Sequence, residues 1–588
     1  MARRRVLIAL LVLWGTAPHI AAQRPLDPST GSGSSRAGSR DDRRGVAPSG
    51  VEGRSPTLTI SVVATTDLHG GVLPRGERGG LALLGGYIRN LRAARLRDGG
   101  GTLLLDSGDM FQGTLESNLN EGAAVVGAYN ALGYAAAAVG NHEFDFGPAG
   151  PDETPRTPGE DPRGALKARA AQARFPFLAA NTVEEKSGRP AAWPNVKPST
   201  IVTVRGVRIG LVGVTTIDTA AQTIAANLGG LTFAPLAPAI AREATSLRSA
   251  GATIVIVLAH AGGRCTRLDD PEDLSSCDQM TEIVNVARQV PAGLVDVIAA
   301  GHTHQAMAQD VAGIAVVEAY SGGRAFSRVD LTVNRASGAL LSKKIFPPHD
   351  VTPGSYENRA VTPDAAVTAA IAPAVRRALT LKNRPLGVHI DTPLARGDQQ
   401  NETAIADLIT DGMLASVPGA DVAMGNGGSL RADLPAGPLT YGAAYEVYPF
   451  DNRLVTFEAT GDQLARIVAY NLQRTAPPTE LLPIAGFRVD ARCEGKMLRV
   501  TLTRASGMPI RPDERLTVTT SDFIAGGGDG ILAPAGPLAF KGVEGAPLLR
   551  EAAVAWLRRR GGRLDESQFV GPGNRRWSFP VPRPVTCQ

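Results

Sequence analysis

Five short segments concentrate the residue types that bind metal ions. They are T-T-D-L-H-G (Asp67, His69), G-D-M-F-Q-G (Asp109), G-N-H-E-F-D-F-G (Asn141, His142, Glu143, Asp145), L-A-H-A-G-G (His260) and G-H-T-H (His302, His304). Of the eight histidines in the chain, five fall in these segments. Taken singly, each has an ordinary explanation: a D-x-H can be a solvated turn, and Asp109 can cap a helix. Together, Asp67, His69, Asp109, Asn141, His260, His302 and His304 are too many ligands for one tetrahedral ion and suit two, each also holding solvent. Mixed imidazole, carboxylate and amide donors without thiolate fit Zn, Mn or a similar divalent ion better than an all-oxygen calcium site. Two such cations roughly 3.5–4 Å apart would clamp a phosphate ester and activate water to attack phosphorus in line with the leaving oxygen. A protonated His142 would stabilise the phosphoryl charge or the departing alkoxide, with Asp145 orienting the imidazole and raising its pKa.

Positioning these loops requires strands that end beside them. Apolar, β-branched runs at 57–65, 101–106, 135–140, 207–214, 252–259 and 295–301 precede loops, several of which are the metal segments above. Short, near-continuous apolar runs predict strands buried on both faces, and their alternation with helical stretches predicts an α/β architecture. In such sheets ligands gather beyond the carboxyl ends of strands. A Pro-rich break at 347–363 and an Ala-rich helix over 364–381 then predict a connector, with a second domain from Leu386.

These blocks resemble the calcineurin-like metallophosphoesterases, and the chain from about residue 57 on resembles a bacterial 5'-nucleotidase of the UDP-sugar hydrolase type. The resemblance implies an N-terminal metallophosphoesterase β-sandwich flanked by helices and a C-terminal α/β substrate-binding domain. It implies Asp67, His69, Asp109 and His304 at one metal, with Asp109 shared, and Asn141, His260 and His302 at the other. His142 and Asp145 become the catalytic pair. Three later blocks, G-N-G-G-S-L-R, Y-P-F-D-N and S-D-F-I-A-G-G-G-D-G, resemble the family's nucleotide-binding domain. By that resemblance Phe450 and Phe523 sandwich a base, Asp529 accepts from ribose hydroxyls, Arg431 meets phosphate, and Asn426 meets the base or nearby polar groups. Stacking tolerates any base, and Arg matches phosphate oxygens well. The family's phosphate-binding Arg is replaced by Asn401 and a following Asn by Asp407, leaving Arg396 as a substitute from further upstream. The resemblance also implies that the second domain rotates to carry substrate to the metals.

The net charge of +5 lies in residues 1–54, with nine Arg against four acidic residues, so the rest is neutral and no polynucleotide-binding surface is expected. Arg3 to Arg5, an apolar run to Trp14 and small residues at Ala21 and Ala22 read as a cleavable leader over 1–22, too short to span a bilayer. A Gly/Ser/Pro/Arg-rich stretch over 23–56 reads as a tether. The expected domains are therefore 57–350 for catalysis, 351–385 as connector and 386–588 for nucleotide binding, in a periplasmic or secreted protein. Of the four cysteines, Cys265 and Cys277 share one polar loop and are the expected disulfide. The leading function is phosphate release from 5'-nucleotides. The alternatives are the same metal site acting on a 2',3'-cyclic nucleotide, a UDP-sugar or a sulfate-like ester, and an exported nucleotide-binding protein without catalysis.

Overall fold

The computed structural model describes residues 55–150, 152–475, 479–543 and 548–588. The expected leader and all but the last two residues of the expected tether lie outside the described residues.

The first half is a sandwich of two mixed sheets. One has seven strands in the order Leu340–Asp350, Ala325–Asn334, Thr57–Thr65, Gly101–Asp106, Ala136–Ala138, Phe177–Leu178, Val196–Lys197. The other has six, in the order Ser199–Val204, Val207–Thr215, Ile254–His260, Val297–Ala299, Ile314–Ala319, Ala306–Val311. Ile60, Val62, Leu103, Leu211, Ile256 and Val329 fill the space between them. Val63 and Leu104, pointing the other way, pack against helices Leu81–Arg97 and Ala123–Leu132. Helices Leu236–Ser249 and Glu282–Gln289 cover the outer face of the second sheet. Both faces of these strands are thus buried, which is why their sequences run apolar almost without interruption.

Thr57–Thr65, Gly101–Asp106 and Ala136–Ala138 run parallel in one sheet, and Val207–Thr215, Ile254–His260 and Val297–Ala299 run parallel in the other. The metal segments follow, or in the case of His260 terminate, the carboxyl ends of five of these strands. One rim of the sandwich therefore gathers them all.

The Pro-rich break begins later than the sequence reading placed it. Pro347 and Pro348 lie inside the strand Leu340–Asp350, whose partner strand shows a register shift between Phe326 and Arg328 beside them. This strand is the sheet edge, so a proline's missing N–H there need not cost a ladder bond. The helix that follows, Ala365–Lys382, is capped by Asp364, whose Oδ1 accepts from the backbone N–H of Ala366 (2.9 Å) and Val367 (3.1 Å). Val367 and Ile371 pack into the first core, while Ala378 packs with Leu115 and Tyr445. Lys382 at its end pairs with Glu116 (2.9 Å) and Glu446 (3.1 Å) and so joins both halves.

The second half is built around a five-stranded sheet in the order Ile484–Ala485, Val422–Met424, Arg515–Ser521, Leu454–Thr460, Phe540–Gly542. Val422–Met424 and Arg515–Ser521 are parallel neighbours, so the G-N-G-G and S-D-F-I-A loops leave the same edge. Ser521 caps the short turn after its strand, accepting from the Ile524 N–H at 3.3 Å. Disulfides join Cys265 to Cys277, the expected pair, and Cys493 to Cys587. Among the described residues no helix is long and apolar enough to cross a membrane.

Candidate active site

At the sandwich rim the seven expected metal residues converge in two sets. Asp67, His69 and His304 bring one ligand atom each within 4.8 Å of one another, and Asp109, His260 and His302 do the same. Asn141 joins the second set, its Oδ1 lying 2.9 Å from His260 Nε2. Asp109 Oδ2 lies 3.1 Å from His260 Nε2 and 3.8 Å from His69 Nε2, so its carboxylate faces both sets.

The imidazoles are turned for coordination. His69 Nδ1 lies 2.9 Å from the Gln112 carbonyl and His260 Nδ1 3.0 Å from the Ser107 carbonyl. A carbonyl accepts only, so each Nδ1 carries a proton, and at His69, which burial keeps neutral, the Nε2 lone pair points into the cluster. His69 Nε2 and His304 Nε2 approach to 2.9 Å, so both nitrogens face the same point of the cluster. Burial holds His69 well below its ordinary pKa, and burial with the neighbouring His260 holds His302 down to about 3, so both rings are neutral donors. Asp67 accepts from the His302 N–H at 2.9 Å and from Thr66 Oγ1 at 2.6 Å. The donor set fits two divalent ions of the Zn or Mn kind.

The backbone carries strain here. Asp67 (φ 49°), His69 (48°), Asp109 (57°), His302 (78°) and His304 (57°) all occupy the left-handed region. Such conformations in non-glycine residues cost on the order of 1 kcal/mol or more each, and they persist where surrounding contacts over-determine them. Gly140 shows how closely the loops approach: a Cβ there would lie 2.3 Å from Asp109 Oδ1.

Sequence reasoning left Glu143 without a role. Its buried carboxylate accepts from the backbone N–H of Asp109 (2.8 Å), Met110 (2.7 Å) and Gly140 (2.7 Å), tying the Asp109 loop to the Asn141 loop. Glu318 does comparable work elsewhere, accepting from Thr303 Oγ1 (2.6 Å) and the Gly263 N–H (3.0 Å) beneath the His302–His304 loop. The signal for Glu143 was its place inside a metal segment without a ligand's position; Glu318 had none. Glu143→Ala is expected to lower metal affinity about 10–100-fold with the ligands still in place, as loss of an orienting partner does. Competition with a chelator, followed by titration of bound metal, checks this.

His142 and Asp145 sit beside the cluster. His142 Nδ1 lies 2.6 Å from Asp145 Oδ2, and Asp145 Oδ1 accepts from Thr223 Oγ1 at 2.7 Å. Burial alone would depress the His142 pKa, but the Asp145 and Asp109 carboxylates outweigh it and raise the value above the ordinary one. The His142 backbone N–H also donates to Asp109 Oδ1 at 2.9 Å.

The second half reaches directly to this histidine. Arg431 Nη2 lies 3.4 Å from His142 Nε2, the Phe450 ring centroid 5.8 Å from that of His142, and the Arg431 guanidinium 5.3 Å from the Phe450 ring. The Pro449 carbonyl accepts from Gln112 Nε2 and Asn118 Nδ2, both at 3.1 Å, so the loop after Asp109 grips the loop carrying Phe450. The buried Arg550 donates to the Phe450 carbonyl (3.1 Å) and pairs with Asp451, fixing that loop from behind. A cleft of about 1020 Å³ between the halves is lined by Asp109, His142, Arg431, Phe450, Phe523 and Asp529 among others. Asn426 Nδ2 donates to Asp529 Oδ2 at 3.0 Å and its Oδ1 accepts from Ser429 Oγ at 2.7 Å, so its amide is engaged within the protein. Burial raises Asp529 to about 6.

Arg396 lines the same cleft, with its Nη1 donating to the Leu430 carbonyl at 3.1 Å. Asp407 does not face the cleft; it is buried 3.4 Å from Arg576, and burial raises its carboxyl to about 9.

Comparison with known proteins agrees with these two halves. Residues 60–306 match the calcineurin-like phosphoesterase family and residues 380–535 match the 5'-nucleotidase C-terminal domain. The chain is 26% identical over 497 residues to endonuclease YhcR of Bacillus subtilis, covering 84% of this chain but only 38% of YhcR. It is 25% identical over 513 residues to UshA of Yersinia enterocolitica, covering 81% of this chain and 87% of UshA. Among solved structures, a 5'-nucleotidase precursor from Thermus thermophilus superposes with a TM-score of 0.68 at 25% identity, over 86% of this chain and 97% of that one.

Proposed function

We propose that this chain, which belongs to the calcineurin-like phosphoesterases carrying a 5'-nucleotidase C-terminal domain, is an exported enzyme that hydrolyses the phosphate ester of 5'-nucleotides. Membership makes it a hydrolase of phosphate esters; the nucleotide substrate is our reading. The observation that carries it is the contact of Arg431 and Phe450 with His142, which sets a phosphate-binding guanidinium and a stacking ring against the histidine beside the metal ligands. The two disulfides support export, since such bonds persist in oxidising compartments.

Asp67, His69 and His304 would hold one divalent ion and Asn141, His260 and His302 the other, with Asp109 shared between them. When bound, two such ions supply Lewis-acid stabilisation of phosphoryl charge and a water acidic enough to ionise near neutral pH. The chain's own groups do the rest. Phe450 and Phe523 hold the base, and Asp529 accepts from ribose hydroxyls. Arg431, with Arg396 beside the cleft, binds phosphate oxygens by charge-assisted hydrogen bonds. His142 Nε2 faces the phosphoryl group, while Asp145 keeps the proton on Nδ1 and favours the imidazolium. A doubly protonated His142 can donate at Nε2 to a phosphoryl oxygen or to the leaving 5'-oxygen.

The test separates the two halves. Replacing Phe450 and Phe523 together by alanine is expected to raise KM for 5'-AMP roughly 100-fold, since stacking is worth about 1–3 kcal/mol per base. Hydrolysis of p-nitrophenyl phosphate, which carries no base, should lose far less. An unchanged KM for 5'-AMP would remove the nucleotide reading and leave a phosphoesterase of other specificity.

A further inference from the structure

The cleft contains a carboxylate that the reaction above does not use. Glu480 lines it alongside Asn426, Arg431, Phe523 and Asp529. Its backbone is fixed: Asn471 Nδ2 donates to the Glu480 carbonyl at 3.0 Å, and the next residue, Leu481, donates its N–H to the Gln399 carbonyl at 2.7 Å. Its side chain lies on the G-N-G-G loop so closely that a Cβ at Gly427 would stand 2.6 Å from Glu480 Cβ. One carboxylate oxygen, Oε2, is shielded from solvent and accepts no hydrogen bond among the described residues. Shielded acceptors in folded proteins nearly always have a donor, and in a binding cleft the ligand is one source of it.

Two neighbouring polar groups are already committed. Asn426 uses its amide on Asp529 and Ser429, and Arg474 Nη1 donates to the Asp529 carbonyl at 2.5 Å. Stacking on Phe450 and Phe523 does not distinguish one base from another. Any choice of base must therefore come from a polar group at the ring edge, and Glu480 is an acceptor in the cleft that can make it.

Resting on the nucleotide reading above, we propose that Glu480 selects the base, favouring nucleotides whose edge presents N–H donors. An ionised carboxylate accepts and never donates. Guanine offers two adjacent donors, N1–H and the 2-amino group, which match both oxygens of one carboxylate. Adenine and cytosine offer one amino group. Uracil offers a single N–H flanked by two carbonyls that a carboxylate repels. The expected order is GMP first, AMP and CMP next, UMP last.

The experiment compares kcat/KM for GMP, 2'-deoxy-GMP and UMP in the full chain and in Glu480→Gln. The wild-type chain should favour GMP over UMP by at least about tenfold, because a site built around a hydrogen bond discriminates against a ligand that cannot make it. In Glu480→Gln the ratio should fall by about tenfold or more, since the amide loses guanine's second donor and gains a donor for uracil's carbonyl. Thermal unfolding of the variant checks that it folds. No GMP preference in the wild type, or a ratio that Glu480→Gln leaves alone, overturns the proposal. So does a variant that erases only the difference between GMP and 2'-deoxy-GMP, which would put Glu480 at the ribose. Calorimetric binding of GMP and UMP in the presence of chelator reads the same preference without turnover. Preferential GMP binding that Glu480→Gln abolishes, in a chain that hydrolyses no nucleotide, would retain Glu480's role and reject the hydrolase reading instead.

Discussion

Asp109→Ala is expected to remove essentially all phosphate release, by roughly 10⁴-fold, and to strip metal from both sets of ligands. The carboxylate faces His260 Nε2 at 3.1 Å and His69 Nε2 at 3.8 Å, so no other side chain in the cluster is as well placed to serve two ions. Its second oxygen accepts from the His142 backbone N–H at 2.9 Å, so the same change also releases the loop that carries His142. Loss of the two-cation clamp removes several kcal/mol of charge stabilisation, and each ~1.4 kcal/mol is a factor of ten in rate. The fold should survive, because the sandwich core of Ile60, Leu103 and Ile256 lies behind the rim. Metal analysis with phosphate release on the same sample gives the answer. Turnover that persists while metal is lost would exclude the shared-ligand arrangement.

His142→Asn should behave differently: metal content intact, kcat down about 10²–10⁴-fold, the range for a lost general acid or base. Its geometry is specific to that task. Asp145 holds Nδ1 at 2.6 Å, Thr223 holds Asp145 at 2.7 Å, and Nε2 is left facing the cleft beside Arg431. The choice of substrate divides its two roles. If His142 protonates the leaving oxygen, p-nitrophenyl phosphate should lose much less than 5'-AMP, since its leaving group departs without a proton. If it stabilises phosphoryl oxygens, both substrates should lose alike. Loss of metal in this variant would instead make it a structural change.

The rim was legible because one sequence pattern repeats there: an apolar run, then a short loop holding His, Asp or Asn. Runs such as 57–65 and 101–106 became strands buried on both faces, and chain direction sent Asp67 and Asp109 to the same edge. Residues that act through backbone were less legible. Glu143 accepts three N–H groups, a role that depends on how two loops meet and leaves no trace in residue spacing. Nothing in G-D-M-F-Q-G marks Gln112 as a donor to the Pro449 carbonyl, 337 residues away, because that contact exists only once the halves pack. Pro347 and Pro348 read as a break since proline weakens strands, yet an edge strand tolerates it. Cys493 and Cys587 lie 94 residues apart, too far for spacing to indicate the bond they form. The fate of the lost family Arg also needed coordinates: Arg396 lines the cleft, while Asp407 turns away to Arg576.

Phosphate release from 5'-AMP by the full chain tests the two-metal nucleotidase reading most directly, measured with chelator and then with Mn or Zn restored while bound metal is counted. The expected result is no release with chelator, full recovery at two ions per chain, and higher kcat/KM for 5'-AMP than for 2',3'-cyclic AMP, UDP-glucose or p-nitrophenyl phosphate. Release that is indifferent to chelator, or two bound ions with no hydrolysis of 5'-AMP, would contradict it.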